Sequence, residues 1–378
     1  MIYLKQFDNE TDYANFRTGD DYRLPSVALV GNGNIGFNNY EDTPLTFQIV
    51  GDSDYEEGDT YCIYLEFDGE DTSYERTISY RINGGEWKEA TFGADTIDDL
   101  EPGDLVQFKS DDSFAYCGKG ASSDLNINFF ECSTKFNVFG NLNSLNNYEP
   151  YNVRQFAYLF ANCGGLLSAE KLFIPDEMNE SCYEYMFSGC TSLVKPPVVL
   201  PATSLVESCY RYMFAGCSSL RTAPELPAIG LDTECYFGMF SGCTSLTDAP
   251  SLPAGDAEPA CYGYMFQGCT SLTGAPVISL DDLSTDCCSN MFLGCTSLTV
   301  APELQAHHLI SRCYYGMFSG CTSLSYAKCL ATRTFDSSAT SYWLDGVSSS
   351  GTFVKDSSAT FWSRDKHGIP ANWTVLDE

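Results

Sequence analysis

Cysteine is the residue with most chemistry to offer in this chain, and it recurs on a regular beat. Fifteen of the eighteen cysteines fall between Cys163 and Cys329, and pairs such as Cys209/Cys217 and Cys261/Cys269 stand eight residues apart in six copies. A zinc centre needs four ligands converging on one point. A repeating array gives columns instead, so we expect buried thiols acting as small apolar fillers, with disulfides and metal ligation as the alternatives. The tandem Cys287-Cys288 puts a thiol where other copies carry tyrosine and is the expected reactive spot. Histidine offers little more: His307, His308 and His367 are the whole set, and His307-His308 reads as a solvated pair. No Gly-x-Ser-x-Gly elbow and no Gly-rich phosphate loop ending in Lys-Ser or Lys-Thr is present. Asp52, Asp54, Glu56, Glu57 and Asp59, then Asp68 to Asp71, are acidic runs whose spacing fits no calcium loop, so they read as solvated turns. The expectation is no enzyme: no catalytic residue, no metal and no cofactor.

Tyrosine carries the best candidate for binding. Tyr185, Tyr212, Phe237, Tyr264 and Tyr315 recur at related places in successive copies and are the candidate ligand-binding residues. Two readings stand side by side. The rings pack between neighbouring copies, or they form a stripe offering rigid amphipathic contacts to a glycan or protein. The segments that differ most between copies are 203–208, 229–234, 255–260, 281–286 and 307–312. In a solenoid such variation concentrates on one face, often the binding one.

What must position these residues is a repeat. Met186-Phe187-Ser188-Gly189-Cys190 returns as Met213-Phe214-Ala215-Gly216-Cys217 and four more times, after a degenerate copy at Leu159-Phe160-Ala161-Asn162-Cys163. From Phe160 the phenylalanines Phe187, Phe214, Phe240, Phe266, Phe292 and Phe318 are 27, 27, 26, 26, 26 and 26 residues apart. This period lies in the range of leucine-rich repeats, and seven copies are enough to stack. Leu193, Leu220, Leu246, Leu272, Leu298 and Leu324 follow at a constant offset and should join those phenylalanines as inner columns. Cys182/Met186 and Tyr183/Phe187, each four apart, predict a short helix in every copy, ended by Gly189 and its equivalents. The Ala-Pro-x-Leu-Pro stretches should be extended, with only a short parallel sheet beside them.

The chain has 378 residues, enough for two or three units. Residues 1–40 read as an attachment arm. Residues 41–145 read as a β-sandwich, with strands at 44–50, 62–67, 105–108 and 136–139 and a hairpin around Asn83-Gly84. Residues 146–335 read as the solenoid and 336–378 as its C-terminal cap. The fold class is thus a β-rich sandwich plus an α/β leucine-rich-repeat solenoid. A formal charge of −31 argues against a nucleic-acid partner. No run approaches the ~18 apolar residues of a membrane span, and the first residues do not read as a signal peptide.

The repeats resemble BspA-type leucine-rich repeats of gut Bacteroidetes in their Met-Phe-x-Gly-Cys-Thr-Ser-Leu and Ala-Pro-x-Leu-Pro motifs. Tyr80-Arg81-Ile82-Asn83-Gly84-Gly85-Glu86-Trp87 resembles the β domain that often precedes such repeats. Gly368-Ile369-Pro370-Ala371-Asn372-Trp373 resembles their usual closure. The start, Tyr3-Leu4-Lys5-Gln6-Phe7 to Leu24-Pro25-Ser26-Val27, is similar to leader arms on structural proteins of phages infecting those bacteria. The resemblance implies a non-enzymatic virion structural or adhesion protein, a head or tail fibre or decoration component. Its arm would bind other virion proteins, and its solenoid would bind a bacterial surface glycan or protein. Self-association into a homo-oligomer is allowed, and membrane insertion is not expected. The alternative is a bacterial cell-surface adhesin.

Overall fold

The computed structural model describes residues 43–53, 56, 60–110, 116–119, 125–146, 153–334 and 336–378. The expected arm at 1–40 and Asp54, Glu57 and Asp59 of the first acidic run lie outside them. The N-terminal part is β-rich. Strands β1 (Leu45–Ile49), β2 (Tyr61–Asp68), β3 (Thr77–Ile82), β4 (Lys88–Thr91), β5 (Thr96–Leu100), β6 (Leu105–Lys109), β7 (Cys117–Lys119), β8 (Leu125–Cys132), β9 (Phe136–Asn141) and β10 (Leu166–Phe173) form two sheets. Their orders are β10-β9-β1-β6-β3-β4 and β5-β2-β8-β7. β3 and β4 pair through the expected turn: Asn83 and Gly84 both have positive φ, 51° and 73°, as a primed turn requires.

The two sheets meet through aromatic rings. Phe47 on β1 lies 5.1 Å from Phe130 on β8, and Phe108 on β6 lies 4.9 Å from Phe130. Phe160, from the first repeat, lies 5.9 Å from both Phe47 and Phe130. The larger sheet runs on into the repeats, because β9 pairs in parallel with β10. A closed sandwich standing apart from the solenoid is therefore not what these contacts describe; the two parts share one core.

From residue 136 to 377 the chain winds into a β-solenoid of about nine turns with almost no helix. The expected count was seven, and the expected class was α/β. The extra coils escaped the motif because their chemistry differs. The first rung is β9, and the late coils replace Met-Phe-x-Gly with Trp343-Leu344-Asp345-Gly346. At a strand spacing of ~4.8 Å, nine coils stack to about 40 Å.

The expected short helix is instead a ribbon of β-turns. In the coil of Phe187, every second backbone N–H closes a local turn: Glu184 to Ser181, Met186 to Tyr183, Ser188 to Tyr185 and Cys190 to Phe187. The intervening N–H groups of Ser181, Tyr183, Tyr185, Phe187 and Gly189 donate to carbonyls of the next coil. A helix would direct all of them along its own axis. Ser181, Tyr185 and Gly189 hold φ of 55°, 55° and 75°, so turns with a left-handed third residue alternate with turns at ordinary φ. Side chains consequently leave two in, two out. Cys182, Tyr183, Met186, Phe187 and Cys190 are fully buried, while Tyr185, Ser188 and Gly189 face outward.

The inner columns are as the spacing required. Phe187, Phe214, Phe240, Phe266, Phe292 and Phe318 are all 0% exposed and stack at 5.3–5.7 Å with nearly parallel rings. Leu193, Leu220, Leu246, Leu272, Leu298 and Leu324 are equally buried. The proline-rich coils contact one another through isolated parallel bridges such as Thr222↔Asp248, Asp248↔Gly274 and Leu252↔Ile278. Among the described residues beyond β10, a continuous parallel sheet of more than two strands forms only at the far end, in the order β11 (Val300–Leu304), β13 (Tyr326–Cys329), β15 (Thr352–Lys355) and β16 (Thr374–Asp377). There Lys328, Val354 and Leu376 supply the backbone N–H that proline lacks. The two-residue strands β12 (His308–Leu309) and β14 (Arg333–Thr334) pair beside it.

Candidate functional site

The outward face of the turn ribbon gathers the candidate binding residues into one file. Its middle left-handed position carries Tyr158, Tyr185, Tyr212, Gly238, Tyr264, Asn290, Gly316 and Tyr342, all at positive φ. A β-carbon at such φ costs on the order of 1–2 kcal/mol. Six of these eight residues are not glycine, so contacts made by their side chains must offset that cost. Tyr158 stacks on Tyr185 at 4.8 Å, and Tyr185 on Tyr212 at 4.9 Å.

Where the position is glycine, the preceding residue supplies the ring. Phe237 precedes Gly238 and lies 5.5 Å from Tyr212 and 5.2 Å from Tyr264. A β-carbon on Gly238 would sit 2.2 Å from the Tyr212 ring, so the swap is enforced by space. Tyr315 precedes Gly316 in the same way and lies 6.0 Å from Tyr342. The file is interrupted at Ser289-Asn290, where neither residue is aromatic. Thus Tyr185, Tyr212, Phe237 and Tyr264 are brought together, whereas Tyr315 belongs to a second short run with Tyr342. Tyr158 and Tyr342 were not foreseen, because they lie in the degenerate end coils.

Stacking dictates what the file presents. Rings packed face to face along the solenoid axis show edges and hydroxyls to solvent, not faces. Burial holds the phenols of Tyr158, Tyr185 and Tyr212 above the ordinary tyrosine value, so they stay neutral hydrogen-bonding groups at physiological pH. Phe237 is the exception, turned 78° from Tyr212. The guanidinium of Arg211 covers it at 5.5 Å and covers Tyr212 at 5.2 Å.

A charged zigzag runs beside the rings. Glu184, only 5% exposed, accepts from Arg211 Nη1 at 2.8 Å and lies 3.7 Å from Arg154 Nε. Arg211 Nε lies 2.9 Å from Glu234 without the alignment of a hydrogen bond. Farther along, Arg312 pairs with Asp286 at 2.8 Å and covers Tyr315 at 4.6 Å.

The variable segments form an adjacent exposed file, joined by the bridges Ser204↔Gly230 and Asp256↔Asp282 and by the pair His308↔Arg333. Ile229 is 66% exposed, and Asp281, Asp282, His307 and His308 all face solvent. Composition changes at every rung, so this file presents no single chemistry.

The thiols of the coils are shielded by placement. Among the described residues all eighteen cysteines are free, and only Cys62 and Cys132 are even partly exposed. Cys190, Cys217, Cys243, Cys269, Cys295 and Cys321 each point Sγ at the phenylalanine carbonyl of the preceding coil, at 3.0–3.1 Å. Burial pushes Cys321 and Cys329 up to about 12. Cys287-Cys288, expected as the reactive spot, is instead fully buried; its mutual hydrogen bond and burial hold the Cys288 thiol well above the ordinary value. Cys288 occupies the tyrosine column and Cys287 the regular cysteine column, and both face the dry interior.

Remaining candidates resolve into local structure. Asp52 accepts from Thr134 Oγ1 at 2.9 Å, and Asp71 caps the 3-10 turn Thr72–Tyr74. Ser341 Oγ lies 2.8 Å from His367 Nδ1, but this hydroxyl also reaches the Ser337 carbonyl at 3.3 Å and is 6% exposed. The Asp365 carboxylate bonds the backbone N–H of His367 rather than the ring. Among the described residues no three histidine, cysteine or acidic side chains are placed to hold a metal ion, and no helix is long and apolar enough to cross a membrane. Set against known protein families, curated proteins and solved structures, the chain matches none of them.

Proposed function

We propose that this chain is a non-enzymatic display protein: a virion structural or adhesion component whose N-terminal part attaches to the particle and whose solenoid presents a surface to a bacterial glycan or protein. The observation that carries the reading is how chemistry is distributed over the coils. Recurrent, potentially reactive groups (the thiols of the coils and the inner tyrosines) point into a dry core, while the outward residues of segments 203–208, 229–234, 255–260, 281–286 and 307–312 differ from rung to rung. A scaffold with a constant interior and a changing outer file is suited to recognition rather than turnover. The shared core of sheets and coils supports attachment at one end and display at the other. The virion setting rests on the resemblance of residues 3–27 to phage leader arms. The alternative, a bacterial cell-surface adhesin, uses the same surface. Mass spectrometry of purified phage particles and of host outer-membrane fractions separates the two: peptides in particles support the proposal, and peptides confined to the outer membrane replace it with the alternative.

A further inference from the structure

We infer that the far tip of the solenoid holds a binding cleft for a neutral sugar with vicinal hydroxyls, formed where the last coils fold over the stack. The cleft measures about 360 Å³, at the small end of the ~300–1,000 Å³ of small-ligand sites. It lies between the turn at residues 344–349 and the segment 364–372, the two stretches that close the solenoid.

Its polar groups select the ligand. Both cations are already engaged: Arg364 Nη2 donates to the carbonyls of Ala371 and Trp373, and Lys366 Nζ bonds the Tyr342 hydroxyl at 3.0 Å. They lie beside the carboxylates of Asp345 and Asp365, so the cleft has no surplus positive charge for an anion. Among the described residues Asp345 and Asn372, both lining the cleft, find no side-chain hydrogen-bond partner, leaving a carboxylate that accepts and an amide that both donates and accepts. Adjacent hydroxyls on a pyranose, each a donor and an acceptor, satisfy that set.

The inference names a ligand class for the display reading and rests on it only for its biological setting. The particle proteomics above can fail while the cleft still binds sugar, and the reverse. The experiment is ligand-observed saturation-transfer NMR and calorimetric titration of the full chain with methyl α-mannopyranoside, methyl β-galactopyranoside, methyl β-glucopyranoside and N-acetylglucosamine, with inorganic phosphate as the anionic comparison. At least one sugar is expected to bind with a Kd in the millimolar range. Asp345→Ala and Asn372→Ala are each expected to weaken it tenfold or more without moving the melting temperature, since neither side chain holds the fold together. Ser251→Ala, exposed on a mid-solenoid coil far along the chain from the tip, should leave this binding unchanged. Absence of binding by all four sugars, binding indifferent to both tip variants, or preference for phosphate overturns the inference.

Discussion

Replacing Ala260 with glycine distinguishes the turn ribbon from a helix by the sign of one measured quantity. Ala260 holds φ at 52°. That left-handed conformation costs a residue with a β-carbon about 1–2 kcal/mol. Glycine removes the penalty but has a freer unfolded chain, which returns about 0.4–1 kcal/mol. Ala260→Gly should therefore stabilise the protein by about 0.5–1 kcal/mol. Were residues 260–268 helical, the same change would destabilise by about 0.5–1 kcal/mol. Gly242→Ala runs the comparison backwards. Its φ is 76°, and the added β-carbon would meet only Gly216, at 3.6 Å, so the loss of about 1–2 kcal/mol is purely conformational. Equilibrium urea unfolding followed by circular dichroism reads both, through the midpoint at constant slope. A lower midpoint for Ala260→Gly, or an unmoved one for Gly242→Ala, would refute the alternating-turn description.

Two further outcomes follow from the interior and the ribbon. The buried thiols have folded pKa values raised above the unfolded value, to about 12 for Cys182, Cys321 and Cys329. Their stabilising contribution is therefore complete below pH ~8.5 and is lost as pH climbs toward those folded values, each thiol removing ~1.4 kcal/mol per pH unit once the unfolded chain ionises. Stability should stay level to about pH 8 and then fall steeply; at pH 8 a thiol reagent should modify Cys62 alone without denaturant, since burial raises Cys132 to about 12 as well, and a flat alkaline profile would contradict the packing. Arg211→Met should cost on the order of 2 kcal/mol by leaving buried Glu184 with only the longer 3.7 Å contact to Arg154, and adding Glu184→Gln should recover most of it in thermal melts.

Much of this architecture could be read from residue spacing. The stacking of Phe187 to Phe318 follows from their constant interval, and the buried thiol columns follow from cysteines that recur too regularly to converge. The ribbon was not legible for a definite reason. Its alternating turns repeat every four residues, so Cys182/Met186 and Tyr183/Phe187 share a face in it just as they would on a helix. The discriminating clue is glycine inside the supposed helix, at Gly238 and Gly316, set against tyrosine at equivalent places. Tyrosine is a poor left-handed residue and hides the pattern. The ring swap from Tyr212 to Phe237 could not be seen either, because it depends on the 2.2 Å approach between coils. The first and last coils, and with them the tip cleft, lack the motif altogether.

The pairing of β9 with β10 carries a mechanical consequence. Six hydrogen-bonded strands and a common aromatic cluster weld the base to the first coil, so the stack behaves as a stiff lever rather than a pennant on a string. Torque applied at the tip would be transmitted to the base instead of being dissipated in a swivel. The tip is then held at a set height and heading relative to the base, which makes the coil number a ruler that insertion or deletion of one repeat would lengthen or shorten by a single rung.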